Sequence, residues 1–236
     1  MSYGLATQSQ QLGASTDVGY RYLLDYLDEN ERAAVLRQGR KVAFARGEYL
    51  LLQGEFSDGL YLIEQGTVES IYRGSSGREL TLAFWSEGDF VGAPCVLGTH
   101  PNEWAARAVE RVSTIQLDAG TLKRLIASSP DFALALVECL GFKGRCYSKL
   151  AQAIATHNVE SRIASMLITL AETLGIRDGN HFIVGKVKHQ ELANMVGATR
   201  QSISLVLRHL QEQRIIEVEP TRIVLLDLEF LRRLSG

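Results

Sequence analysis

"KHQELANMVGATRQSISLVLRHLQEQRIIEVEPTRIVLL", residues 188–226, divides at its glycine and its proline into four pieces. These are a short helix, a turn at Gly197, a second helix from Thr199 to Gln211, and a hairpin through Pro220. A glycine between two short helices lets the chain turn sharply, and the Thr199 hydroxyl is placed to cap the second helix. The spacing is that of a helix-turn-helix. At about 100° per residue, Ile203, Val206, Leu207 and Leu210 fall on an inward stripe. Gln201, Leu205, Arg208 and, at the edge, Ser204 fall on the other side, so Leu205 is expected to point outward.

That outward face has the chemistry of a base reader. Arginine donates two hydrogen bonds to guanine O6 and N7, glutamine pairs with adenine N6 and N7, and an apolar side chain covers a thymine methyl. Arg200 sits in the first turn, where a helix entering a major groove brings side chains to base edges. Lys188, His189 and Arg208 are placed to neutralise phosphates, and Gln190 and Thr199 complete the expected DNA-binding set. The local charge agrees. Between residues 186 and 214, Lys186, Lys188, Arg200, Arg208 and Arg214 face only Glu191 and Glu212, a net +3 within a chain of net charge −2. A basic segment on an acidic body points to nucleic acid.

Upstream the texture changes. Residues 42–118 contain short apolar runs such as "LYLIEQ" and "ELTLAFW", punctuated by Gly47, Gly54, Gly59, Gly66, Gly74, Gly77, Gly88, Gly92 and Gly98. The rhythm predicts short strands joined by tight turns, in a roll, barrel or sandwich. Before it, two short helices are expected, with Asp28 capping the second. After it, "AGTLKRLIASSP" reads as a helix stopped before Pro130, and a longer helix runs from Asp131 to about His157.

Along that helix Phe132, Leu136, Cys139, Lys143, Cys146, Leu150 and Ala153 recur at alternating spacings of four and three. The pattern is a coiled-coil seam, so the helix is expected to pair two subunits through Leu136, Cys139, Lys143, Cys146 and Leu150. Cys139 and Cys146 would then meet their mates. The other reading packs this face against the helix's own β-domain; the seam pattern favours a dimer. "NVESRIASMLITLAETLG" is a further amphipathic helix ending at Gly175, and "IRDGNHFIVGKV" suggests a turn and short strands.

Composition narrows the class. No run of about 18 uncharged apolar residues occurs and the first residues lack a secretory pattern, so a cytoplasmic protein without membrane contact is expected. Three scattered cysteines give neither a disulfide framework nor a zinc spacing. No nucleophile–base pair, P-loop or dinucleotide fingerprint is apparent, so no enzyme is expected.

The order of parts over roughly residues 20–235 resembles the CRP/FNR family of bacterial transcription regulators. "GEYLLLQGEFSDGLYLIEQGTVESIYRGSSGRELTLAFWSEGDFVG" is similar to that family's β-roll with its closing G-D-F-x-G, and "HQELANMVGATRQSISLVLRHLQEQRII" is similar to its DNA-binding motif. The resemblance implies an α+β protein. A flexible N-terminus (1–18) would precede a β-roll sensor domain (19–129), a dimerisation helix (130–157) and a winged helix-turn-helix domain (158–236).

It also implies a homodimer on a near-palindromic duplex, working with RNA polymerase. The candidate effector pocket is Ala93, Pro94, Cys95, Asn102, Glu103 and Arg107. Cyclic-AMP-binding members of the family follow the G-D-F-x-G with a glutamate and later an Arg-Ser pair. Here Ala93 replaces the glutamate, and Asn102 and Glu103 replace the pair. A carboxylate repels an anion and one uncharged side chain cannot replace a guanidinium fork, so the effector is expected to differ from cyclic AMP or to be absent.

Arg107 offers another anion contact, with an ordinary strand role as the alternative. No cysteine precedes Cys95, which removes the family's four-cysteine iron–sulfur site. Haem held by Cys95 and His100 is not expected, and no cofactor is required. The family positions aligned with Gln201 and Leu205 commonly carry glutamate and arginine, so the half-site is expected to differ, with a thymine under Leu205. The competing function is a ligand- or protein-binding module of the cyclic-nucleotide-binding fold that does not bind DNA.

Overall fold

The computed structural model describes residues 22–56, 59–92, 100–179, 181–185 and 187–236. The proposed flexible N-terminus (residues 1–18), Lys186, and Ala93, Pro94 and Cys95 of the proposed pocket lie outside the described residues. Among the described residues two compact units emerge: one holds residues 22–73 and 82–147, the other 74–81 and 148–236.

The first unit opens with a 3-10 turn, Leu23–Tyr26, and α1, Glu29–Gln38. Asp28 caps α1 as expected: its carboxylate accepts from the Glu31 N–H at 2.8 Å, and the Glu31 carboxylate accepts from the Asp28 N–H at 3.1 Å. Eight strands follow: β1 Arg40–Phe44, β2 Tyr49–Leu51, β3 Gly59–Gln65, β4 Val68–Arg73, β5 Glu79–Trp85, β6 Phe90–Gly92, β7 Ala105–Ala108 and β8 Val112–Asp118. They form two four-stranded sheets, ordered β1-β8-β3-β6 and β2-β7-β4-β5.

Alternating side chains give the first sheet two apolar faces. Leu60, Leu62, Phe90, Ile115 and Leu117 pack against helices. Ile63, Val91 and Val112 pack toward Leu50, Val68, Trp85, Ala106 and Ala108 of the second sheet. Gly92 shows why the G-D-F-x-G ends in glycine. Its φ is +98°, and a Cβ there would overlap the carbonyl oxygen of Gly59 on the paired strand.

The Asp118 carboxylate caps α2, Ala119–Ser128, accepting from the Thr121 N–H at 2.7 Å. Pro130 is the first residue of α3, Pro130–Thr156, where its missing N–H costs nothing.

The face of α3 assigned to a partner is occupied within the chain. Phe132, Ala135, Leu136 and Cys139 join the helix-facing core, and Phe142 and Cys146 join the inter-sheet core. Lys143 is also buried, while Leu150 is half-buried. The roll offers apolar surface that satisfies the same periodicity as a partner helix, and each large side chain buried there contributes about 2 kcal/mol. The seam through Leu136, Cys139, Lys143 and Cys146 is therefore corrected: these residues line the helix's own β-domain, and both thiols are buried there outside any disulfide among the described residues.

In the second unit Asn158 caps α4, Val159–Leu174, accepting from the Ser161 N–H at 2.8 Å. Then come β9 Ile176–Asp178, β10 His181–Gly185, α5 His189–Val196, α6 Arg200–Glu212, β11 Ile216–Val218, β12 Arg222–Leu225 and α7 Leu228–Ser235. The strands form one sheet, ordered β11-β12-β10-β9. The last helix is absent from the sequence reading. Asp227 caps it, accepting from the Phe230 N–H at 2.8 Å, Leu231 is buried, and Arg232 meets Glu172 of α4 at 3.2 Å.

Candidate nucleic-acid interface

Gly197 adopts φ +64° and ψ +38° after α5, the left-handed conformation that ends a helix and that glycine takes without strain. The Ala198 N–H returns to the Ala193 carbonyl at 2.9 Å. Arg162 of α4 holds this corner, donating from Nε to the Val196 carbonyl at 2.8 Å and from its guanidinium to the His157 carbonyl at 2.5 Å. Sequence spacing did not reveal that role, since both acceptors are backbone carbonyls. Thr199 then caps α6 as expected: its hydroxyl accepts from the Ser202 N–H at 3.1 Å.

Ile203, Leu207 and Leu210 are buried and Val206 is half-buried, the stripe that angular placement predicts. On the opposite face Arg200, Gln201 and Arg208 are exposed, and Leu205 is 65% exposed. The side chains of Arg200, Gln201 and Arg208 make no hydrogen bond among the described residues, so their donors are available to a ligand.

The remaining proposed contacts are partly engaged. Lys188 meets Glu191 at 3.3 Å, a surface pair of little stability, and Gln190 donates to Asn194 at 2.8 Å. The Thr199 hydroxyl lies 2.8 Å from the Ser202 hydroxyl. Ser204 donates to the Arg200 carbonyl at 3.1 Å, and its oxygen lies 2.9 Å from Nδ1 of His189. Ser204 is thus tied to α5 rather than free to read a base. In the hairpin after α6, Arg222 grips Glu219 with two hydrogen bonds of 2.8 and 2.9 Å, which hold the Glu219 carboxyl below its usual range.

The described part of the effector pocket does not converge. The Asn102 amide donates to the Leu52 carbonyl at 3.2 Å, and its backbone exchanges hydrogen bonds with Gly54 and Glu55. Glu103 is exposed. Arg107 on β7 faces Glu69 across the sheet on β4, with guanidinium–carboxylate contacts of 2.8 Å, and lies 3.4 Å from the Tyr49 hydroxyl. Its ordinary strand role is the one the geometry supports. Glu69 lies 38 residues away in sequence, a pairing that only strand register reveals.

Comparison with known proteins follows the same division. The family description "Cyclic nucleotide-binding domain" matches residues 41–129, and "Crp-like helix-turn-helix domain" matches residues 161–234. A CRP-like cAMP-activated global transcriptional regulator of Mycobacterium tuberculosis is 29% identical over 85% of this chain and 90% of its own length. The cAMP-activated global transcriptional regulator CRP of Salmonella typhimurium is 26% identical over 74% and 84%. Among solved structures, the CRP-family regulator TTHB099 of Thermus thermophilus superposes with TM-score 0.67 and 29% identity, covering 83% of this chain and 96% of that one. The c-di-GMP responsive regulator CLP of Xanthomonas campestris shares the fold at TM-score 0.76 and 22% identity, covering 84% and 99%.

Proposed function

This chain belongs to the CRP/FNR family of bacterial transcription regulators, and from that membership we propose that it is a homodimer reading a near-palindromic operator through the exposed face of α6. The observation that carries the reading is that face itself, where Arg200, Gln201, Leu205 and Arg208 stand exposed on a helix capped by Thr199 and packed by its opposite stripe. One short helix reads few base pairs, whereas two on a twofold axis double the contacts and the phosphate attraction. The protein acts in the cytoplasm with RNA polymerase as its further partner, and its effector is other than cyclic AMP or absent.

The exposed side of α3 supports pairing of two copies. Leu134 and Val137 are 64% and 63% exposed, and Leu134, Val137, Gly141, Gly144, Ser148, Ala151 and Ala155 are all exposed at alternating spacings of three and four. Large apolar residues at one end and small ones along the rest let two helices approach closely. Genome-wide selection of fragments bound by the purified protein, repeated with cell extract, tests the reading. Enrichment of a two-part inverted repeat is expected, and recovery of fragments without a common sequence overturns it.

A further inference from the structure

Between the sheets and α3, one side chain of the roll is held from three directions. Trp85 ends β5 and is 1% exposed. Its indole N–H is donated to the Ser70 hydroxyl on the neighbouring strand β4, and the buried Ser70 also shares a hydrogen bond with the Tyr147 hydroxyl. The face of the ring receives the Lys143 ammonium, and Tyr147 packs perpendicular to it. Both residues belong to α3, and the same ammonium lies over Phe90 of the first sheet. One indole thus joins the second sheet to α3, and one lysine joins α3 to both sheets. The polar residues described for the candidate pocket are likewise engaged within the chain, Asn102 by Leu52 and Arg107 by Glu69.

Apolar burial is non-directional and lets a helix turn or slide on the surface it covers. A hydrogen bond, a cation over a ring face and an edge-on ring contact are each satisfied by a narrow geometry. Lysine is also the costly choice at position 143, because an apolar side chain of similar size generally serves stability as well or better there. What the cation adds is a defined rotation of α3. On the other side of the helix, Leu134, Val137, Gly141 and Gly144 form the exposed face proposed to pair two copies, so the rotation set at Trp85 decides how that face is presented. Resting on the dimeric DNA-binding reading, we propose that Trp85 serves as the roll's own ligand. With Ser70, Lys143 and Tyr147 it holds α3 in its pairing orientation, and the protein binds its operator without a small molecule.

Affinity of the full-length protein for a duplex carrying the selected repeat, measured with and without cyclic AMP and cell extract, is the first test. The wild type should bind equally well in every case. Trp85→Ala empties the site and should weaken binding at least about tenfold. Free indole should restore it, and benzothiophene, which has the same shape without the N–H, should restore it less. Lys143→Met keeps the volume and the fold, and should weaken binding by a similar factor without lowering the urea midpoint at neutral pH. A merely structural lysine would move affinity and stability together. A wild type that binds only after extract is added, Lys143→Met at wild-type affinity, or a folded Trp85→Ala that indole leaves unrestored overturns the inference alone. No duplex binding with or without extract overturns the DNA-binding reading and the inference with it.

Discussion

The ammonium of Lys143 lies 3.1 Å from the centre of the Trp85 ring and 4.7 Å from that of Phe90, with only 7% of the lysine exposed. The Trp85 indole donates to the Ser70 hydroxyl at 2.8 Å, and Tyr147 stands edge-on to it at 6.2 Å. One turn apart on α3, the lysine and the tyrosine hold the indole between them. The ring face and the buried Asp89 carboxylate offset part of the cost of burying the ammonium.

That cost gives a pH signature. Burial lowers the Lys143 ammonium from about 10.5 to about 8, with Asp89 opposing the shift. Between those values the unfolded chain keeps a proton that the folded chain has released, so the stability that Lys143 confers rises with pH across that window. Relative to Lys143→Met, the wild type should gain up to about 3 kcal/mol from pH 8 to 10.5 in urea unfolding. Burial also pushes the Cys139 thiol up to about 11 and the Tyr147 hydroxyl up to about 12. Both lose stability as pH rises above their unfolded values, but they are common to the two proteins and largely cancel. A difference flat with pH would contradict this account.

Gly92→Ala combines a left-handed backbone with an overlap on the Gly59 carbonyl. The expected loss is at least about 2 kcal/mol, read as a lower denaturation midpoint with an unchanged m-value.

Glutamate at Leu134 and Val137 should leave the fold intact, since both side chains are exposed, yet place like charges on the proposed helix pair. Sedimentation should show a monomer, with operator affinity reduced at least about 100-fold by loss of the second half-site contact. Cys139→Ser, inside the roll, should instead lower thermal stability and leave association unchanged.

Leu205→Arg replaces an apolar cover with a guanidinium fork. In a binding selection, preference at one position of each half-site should shift from thymine toward guanine, a discrimination of about 1–3 kcal/mol. An unchanged preference would remove Leu205 from the base-reading set.

Local signals in the sequence were faithful where the physics is local. Asp28 and Thr199 cap the helices expected of them, Gly197 turns between two helices, and Leu205 points outward because a helix has a fixed angular period. The α3 seam was not legible in the same way. Two faces of α3 carry alternating three- and four-residue spacing, and periodicity identifies a face without naming what covers it. The exposed face, with Gly141 and Gly144, has the weaker apolar signature. Lys143 was placed on a partner seam, whereas an indole and a carboxylate receive it within the roll. The final helix follows a visible cap at Asp227 and apolar residues at 228, 231 and 234, a signal present in the sequence.

The pairing of Arg107 with Glu69 sets a condition on any molecule that enters the roll at that point. An anion seeking the guanidinium has to compete with a carboxylate already in contact at 2.8 Å.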